Sequence, residues 1–272
     1  MKKNRINRVA ALVMAVLPVV AVADFTQGKT AMMAGDYRTA MVEFKPLADS
    51  GDVKSQYIMG ILYDDGLGVP RDYKTAAMWY TKAAEQGDVN SQYNLGVMYT
   101  KGQGVDKNAE HSGAWYRKAA DQNFAAAQYA LADMYMKGWG VNKSATDAAM
   151  WFEKAAVLEN YKAQLMLGIL YLEGNGVKKD EKKAAGWIKQ SAEQGHYKAQ
   201  YTMGMMYKKG VGVKQDLVLA YALLDVATRE GHGEASKMKE EIESNLAEDE
   251  LVEAQELALL WQQGKPITIP VS

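Results

Sequence analysis

The sequence contains no cysteine among its 272 residues. That absence excludes disulfides, thiol nucleophiles and zinc–thiolate sites. Histidine is nearly as scarce, with His111, His196 and His232 the only three. No Cys, His or Asp-rich spacing around them completes a metal site, so neither a metal nor a cofactor is expected. His196 and His232 occupy equivalent places one repeat apart, in turns that a stacked fold would bring near each other. No excess of charge stands out either, because 32 Lys and Arg face 33 Asp and Glu. Nucleic acid is therefore disfavoured as a partner, since phosphate binding needs a basic surface. Long apolar runs are missing from all but the N-terminus.

That N-terminus is a different material. Lys2, Lys3, Arg5 and Arg8 form a basic head, and Val9 to Val22 is apolar apart from Pro18. Ala21-Val22-Ala23 is a small-x-small site just before Asp24. Residues 1–23 read as a secretory signal peptide. The run of 14 residues is shorter than the roughly 20 that a membrane span needs, and no cysteine follows for lipidation. The expected product is a soluble chain with no membrane span, exported to the periplasm or exterior of a bacterium. Cleavage leaves 28 basic against 33 acidic side chains. The body up to Glu234 has 25 of each. The excess negative charge thus falls in the segment from Ala235, with eight acidic and three basic residues.

What the chain has in abundance is itself. From Ser55 a 36-residue unit runs five times without a gap, starting again at Ser91, Ala127, Ala163 and Ala199. Gln56, Gln92, Gln128, Gln164 and Gln200 open the copies, and Tyr63, Tyr99, Tyr135, Tyr171 and Tyr207 follow. A Gly-x-Gly-Val knot recurs from Gly66, Gly102, Gly138, Gly174 and Gly210. Self-similarity at such a period predicts a solenoid, which has no single closed core. Within a unit, Met59, Leu62, Tyr63 and Gly66 have helical spacing and predict a first helix from about Ser55 to Asp65. Gly60 in its middle implies close approach of another helix. A second helix is predicted from about Tyr73 to Gln86, with Ala76, Ala77, Trp79, Tyr80, Ala83 and Ala84 buried. Asp72, Asn108, Ser144, Asp180 and Asp216 stand where its N-cap belongs. Gly87, Asn123, Gly195 and Gly231 suit a left-handed turn after it. Glu159 breaks that series, so the turn after the third copy is expected to differ.

The ends depart from the pattern. Residues 24–54 read as a degenerate N-terminal capping repeat, with Pro46 expected to kink its second helix. The five repeats fill 55–234, acidic capping helices occupy 235–264, and 265–272, with Pro266 and Pro270, is expected to fray.

Chemistry is hard to find. The Gly-x-Gly motifs follow no strand, lack a third glycine and carry no Lys-Ser pair, so they are loop punctuation rather than a phosphate cradle. No Ser-His-Asp setting is visible, and carboxylate pairs such as Asp64-Asp65 do not make an acid/base site without a pocket. No catalytic residue is assigned. A binding surface is easier to place, on the first-helix face opposite the core stripe. It presents Tyr57 and Ile61; Tyr93, Asn94, Val97 and Lys101; Tyr129, Asp133, Met136 and Lys137; Ile169 and Glu173; Tyr201, Met205 and Lys208. The tyrosines fit packing and binding equally. Asn94 and Asp133 replace aliphatics of other copies and are the better candidates for selectivity. Trp139, in the third Gly-x-Gly loop, is a candidate hot spot.

The pattern Ala/Ser-Gln-Tyr-x-x-Gly-x-x-Tyr-x-x-Gly-x-Gly-Val, then Asp, then Ala-x-x-Trp-Tyr-x-Lys-Ala-Ala resembles the SEL-one-like repeat, a relative of the tetratricopeptide repeat. The resemblance covers residues 24–234. It implies an all-α, right-handed α/α superhelical solenoid whose first helices line a concave face. It also implies a non-catalytic protein-interaction scaffold or adaptor, with a protein or peptide as partner. A peptidoglycan or exopolysaccharide partner, stacking on Tyr and Trp, is the alternative. A β-lactamase-like hydrolase is the remote one, because the cysteines of that branch are absent.

Overall fold

The computed structural model describes residues 24–262 and Ile269. The expected signal peptide, residues 1–23, lies outside them, as do 263–268 and 270–272. The described residues form 14 α-helices and no strand. A short pair, Phe25–Met33 (α1) and Tyr37–Asp49 (α2), comes first. Five pairs follow: Val53–Asp65 (α3) and Tyr73–Glu85 (α4), Val89–Lys101 (α5) and Ala109–Asp121 (α6), Ala125–Lys137 (α7) and Ala145–Val157 (α8), Tyr161–Glu173 (α9) and Glu181–Glu193 (α10), Tyr197–Lys209 (α11) and Leu217–Arg229 (α12). Gly233–Glu243 (α13) and Glu248–Gln262 (α14) end the chain. Each helix packs on the next, and α14 folds back on α12. The result is an α/α solenoid, built as the repeat predicts.

Local chemistry explains why the units are alike. Asp72, Asn108, Ser144, Asp180 and Asp216 all accept a backbone N–H from the first turn of the second helix. Asp52, Asp88 and Asn160 do the same for first helices. The first glycine of each knot ends its helix in the left-handed region, with Gly66 at φ +71°. The second glycine has another task. A Cβ on Gly104 would stand 2.0 Å from the carbonyl oxygen of Tyr73, at the start of the previous second helix. Gly140 and Gly176 meet Ala109 and Ala145 in the same way, at 2.3 and 2.2 Å. The knot is the seat of one repeat on the one before it, and a side chain there would separate them.

The mid-helix glycines mark the close approach their position implies. A Cβ at Gly60 or Gly96 would lie 2.4 or 2.5 Å from the ring of Tyr80 or Tyr116 in the same repeat. Repeat three has Ala132 facing Phe152 instead, both fully buried. Tyr80 is held by its hydroxyl, which donates to Asp64 at 3.4 Å, and Tyr116 sits 3.4 Å from Thr100 Oγ1. Phe152 has no such tether, so its ring is free to yield to a methyl group. Around the Tyr80 ring, Ala76, Ala77, Trp79, Ala83 and Ala84 are buried, as Tyr80 itself is. Lys82, Lys118 and Lys154 lie 4.2, 4.1 and 4.0 Å over Trp79, Trp115 and Trp151. The consensus Lys therefore covers the consensus Trp.

The glutamine that opens each copy is a clamp. Gln56, Gln92, Gln128 and Gln164 donate to the carbonyls of Ala48, Ala84, Ala120 and Ala156. Gln86, Gln122 and Gln194 each donate at 2.8 Å to the oxygen of Gln56, Gln92 and Gln164. Thirty residues after Gln128 stands Leu158, and after Gln200 stands Glu230. The buried amide oxygens of Gln128 and Gln200 accordingly have no partner.

Two expectations need revision. The turn after repeat three does not differ: Glu159 takes φ +60° and the N–H of Asn160 bonds to Ala155 as in its neighbours. Packing of the flanking helices imposes the left-handed turn on a residue that disfavours it. Ile269, in the segment expected to fray, is 1% exposed and its N–H donates to Glu193 at 3.1 Å.

Candidate functional site

The first-helix face is not uniform. Its aromatic and aliphatic members sit at the rim of the core. Tyr57 and Ile61 flank the buried cluster of repeats one and two. Tyr93, Val97, Tyr129, Met136 and Trp139 flank the central one, and Ile169 and Tyr201 the C-terminal one. The recurrent tyrosine packs on the ring that fills the second helix: Tyr57 on Tyr80 at 6.1 Å, Tyr93 on Tyr116 at 5.6 Å, Tyr129 on Phe152 at 5.6 Å. Burial raises the pKa of all three tyrosines above the ordinary tyrosine value. Each is half-buried, so the ring packs with one side and faces outward with the rest.

A cavity of about 440 Å³ opens on this face between α5, α7 and α9. It brings together five of the expected residues: Tyr93, Tyr129, Asp133, Lys137 and Trp139. Ala126, Ala130 and Met134 line it as well, together with Thr100, Lys107, Tyr116, Asn160 and Lys162. Behind the lining residue Thr100, Ser112 Oγ lies 2.8 Å from Thr100 Oγ1, and both oxygens are within hydrogen-bond reach of the Gly96 carbonyl. Burial pushes the Tyr116 hydroxyl up to about 12. Asp133 and Lys137 pair at 2.6 Å one helical turn apart, both exposed, a contact worth little by itself.

The other expected residues are elsewhere. Asn94, Val97 and Lys101 line a smaller, more polar hollow of about 220 Å³ with Asp64, Asp65 and Arg71. There Asn94 lies beside the Tyr80 hydroxyl, and burial, with Asp65 beside it, raises the pKa of Asp64 above the usual carboxylate value. Met136 and Ile169 are half-buried and Glu173 is exposed, none of them lining the cavity. Met205 is half-buried on α11. Tyr201 and Lys208 are taken up within the chain. Tyr201 stacks on His232 at 4.0 Å, and Lys208 pairs with Glu241 at 2.6 Å. The cause is that α13 occupies the place of a next first helix and covers that end of the face.

Sequence reasoning missed Lys107 and Lys162. A signal for Lys107 existed: the residue before the second-helix N-cap is basic in four of five copies, Arg71, Lys107, Lys143 and Lys179. His196 and His232 do fall near one another, joined through Tyr197, whose ring centroid lies 6.0 Å from each. No group of three or more metal-ligating side chains is placed to hold an ion among the described residues. Nor is any described helix long and apolar enough to cross a membrane.

Comparisons with known proteins agree with this architecture. The Sel1 repeat family model matches residues 53–88, 89–124, 125–158, 162–196 and 198–232. A Sel1 repeat protein from Oxalobacter formigenes, of known crystal structure, is 34% identical, over 79% of this chain and 88% of its own, with a TM-score of 0.75. The protective antigen c5321 present in uropathogenic Escherichia coli strains, which displays an SLR fold, is 30% identical with a TM-score of 0.76. That match covers 89% of this chain but 56% of the antigen, so this chain spans little more than half of it. No curated protein matches the sequence. Sel1 repeats generally serve as protein-interaction scaffolds, and their fold is typically non-catalytic. With the family model aligned to most of its length, repeat after repeat, the chain belongs to the Sel1 repeat family.

Proposed function

We propose that this chain is an exported, non-catalytic adaptor of the bacterial envelope or exterior that binds a protein or peptide along the concave face of its first helices. The observation that carries the reading is the cavity between α5, α7 and α9. It gathers Tyr93, Tyr129 and Trp139, which offer contact area, beside Asp133 and Lys137, which offer selectivity. Aromatic side chains around a desolvated recess are where interface energy concentrates. Repeat scaffolds bind along such surfaces, where the residues that differ between copies set the partner.

A pull-down from envelope extract, comparing the wild type with Tyr93→Ala/Asp133→Lys, tests the site. The double variant should lose partners that the wild type retains, with its helical circular dichroism and melting preserved. Equal recovery of every partner by both would remove the face from consideration. Pelleting with purified peptidoglycan separates a protein partner from the glycan alternative. Export rests on residues 1–23, and N-terminal sequencing of the protein from fractionated cells should find Asp24 first.

A further inference from the structure

We infer that the cavity between α5, α7 and α9 takes an acidic peptide segment, whose aromatic or aliphatic side chain enters the recess while its carboxylates meet Lys107 and Lys162. This rests on the reading that the first-helix face binds a peptide, and specifies which kind.

The charge balance at the cavity is the first ground. Lys107, Lys137 and Lys162 line it, with Asp133 the one carboxylate among the lining residues. Asp133 and Lys137 satisfy each other at 2.6 Å. That leaves two ammonium groups without a carboxylate. Lys107 makes no hydrogen bond or ion pair among the described residues, and Lys162 lies only against the Tyr161 ring, 5.8 Å from its centroid. The C-terminal segment of the same chain carries the opposite excess, with eight acidic and three basic residues after Glu234. A local surplus of positive charge beside a recess attracts an anionic partner and sets its orientation more than its raw affinity.

The second ground is shape. The floor is Ala126, Ala130 and Met134, small or flexible apolar groups, and about 440 Å³ is ample for a large side chain. The aromatic walls are not laid flat. Tyr93 is inclined 44° to Tyr116 and 58° to Phe124, and Tyr129 is inclined 57° to Phe152. Rings tilted against their neighbours in this way, Tyr93, Tyr116 and Tyr129 among the lining, leave a recess for an inserted side chain. An acidic polysaccharide would answer the lysines equally well but would leave the apolar floor uncovered, so the peptide is the better occupant.

The experiment is selection of a displayed random-peptide library on the purified mature chain. The winning peptides are then synthesised with a fluorescent label, and their binding is measured by anisotropy. Winners should carry Asp or Glu within two positions of an aromatic or aliphatic residue. Lys107→Glu/Lys162→Glu should weaken them by about tenfold or more. Affinity should also fall as sodium chloride rises from roughly 0.05 to 0.3 M. Both lysines are exposed, so melting should not move. Ala126→Arg, which fills the floor, should abolish binding. If winners are neutral or basic yet are lost on Ala126→Arg, the acidic assignment is wrong and peptide binding at this face stands. If no peptide is enriched, or winners ignore Ala126→Arg, both readings fall. Sodium polygalacturonate is the glycan probe, and its binding in place of any peptide would overturn both in favour of an anionic glycan.

Discussion

Leu158→Gln should stabilise this protein, although it replaces an apolar side chain with a polar one. The reason is the unfinished clamp of repeat three. Gln128 is 1% exposed, and its amide oxygen is buried without a partner. In three other units a glutamine thirty residues on supplies the missing donor at 2.8 Å. The backbone at Leu158, φ −86° and ψ 25°, is close to that of Gln86 and Gln122, so the new side chain starts from the right place. Satisfying a buried acceptor recovers about 1–3 kcal/mol. Leu158 is 44% exposed, so its removal forfeits only part of a leucine's burial, about 1 kcal/mol. The net expectation is a gain of about 1 kcal/mol, or roughly 2–4 °C in the melting midpoint of a chain this size. Urea titration of the wild type, Leu158→Gln, Gln128→Leu and the double variant measures the coupling directly. Gln122→Leu is the reverse experiment and should destabilise, because it orphans the amide oxygen of Gln92. The reasoning fails if Leu158→Gln helps equally when residue 128 is leucine, or if it destabilises in the wild-type background.

Three further outcomes follow from the same geometry. Gly96→Ala drives a methyl group into the Tyr116 ring and should cost about 1–3 kcal/mol despite better helix propensity. Adding Tyr116→Phe, which frees that ring from Thr100, should recover part of the loss in the same urea assay. Glu159→Gly relieves a non-glycine residue held at φ +60° and should add about 0.5–1 kcal/mol. His196 gives a pH signature. Burial, with Lys198 and Lys162 nearby, lowers its pKa below the ordinary value, while its ring contacts Ser191, Tyr161 and Tyr197. The unfolded chain therefore binds a proton near pH ~6.5 that the folded chain resists. Stability should be intact above that pH and fall as pH drops through it, levelling once the folded ring is protonated. Calorimetry of His196→Gln across this range should show a flatter profile, and an unchanged profile would exclude His196 as the source.

The fold was legible because each structural task falls to one residue type at one position. An N-cap needs a short side-chain oxygen, and Asp72 and its four counterparts show it. A left-handed helix end favours glycine, and the knot repeats it. What stayed hidden were pairings across about thirty residues. Gln56 is visible as a motif, yet nothing local ties it to Gln86. The seat of Gly104 on Tyr73 is equally non-local. Glu159 misled because tertiary packing overrode its preference. At the candidate site, Tyr93, Tyr129, Asp133 and Lys137 follow from helical periodicity, and Trp139 stands out because it replaces smaller or aliphatic side chains in the same loop of the other copies. Lys107 escaped because it lies in a loop, where periodicity has no force. Lys208 stands apart for a different reason. Its position matches the other copies, but α13 stands where no further repeat exists.

The seating of each glycine knot has a direction. Gly68 closes on the backbone of Tyr37, Gly104 on Tyr73 and Gly212 on Glu181, always toward the N-terminus. A loop therefore finds its support in chain that has already been made. A polypeptide emerging from a ribosome or a translocation channel, N-terminus first, can complete each unit on arrival without waiting for residues still to come. Loss of the last units would leave every earlier loop seated, whereas loss of α2 would leave the first loop with nothing to rest on. The loops of the stack, unlike its capped core, depend on the N-terminal end and not on the C-terminal one.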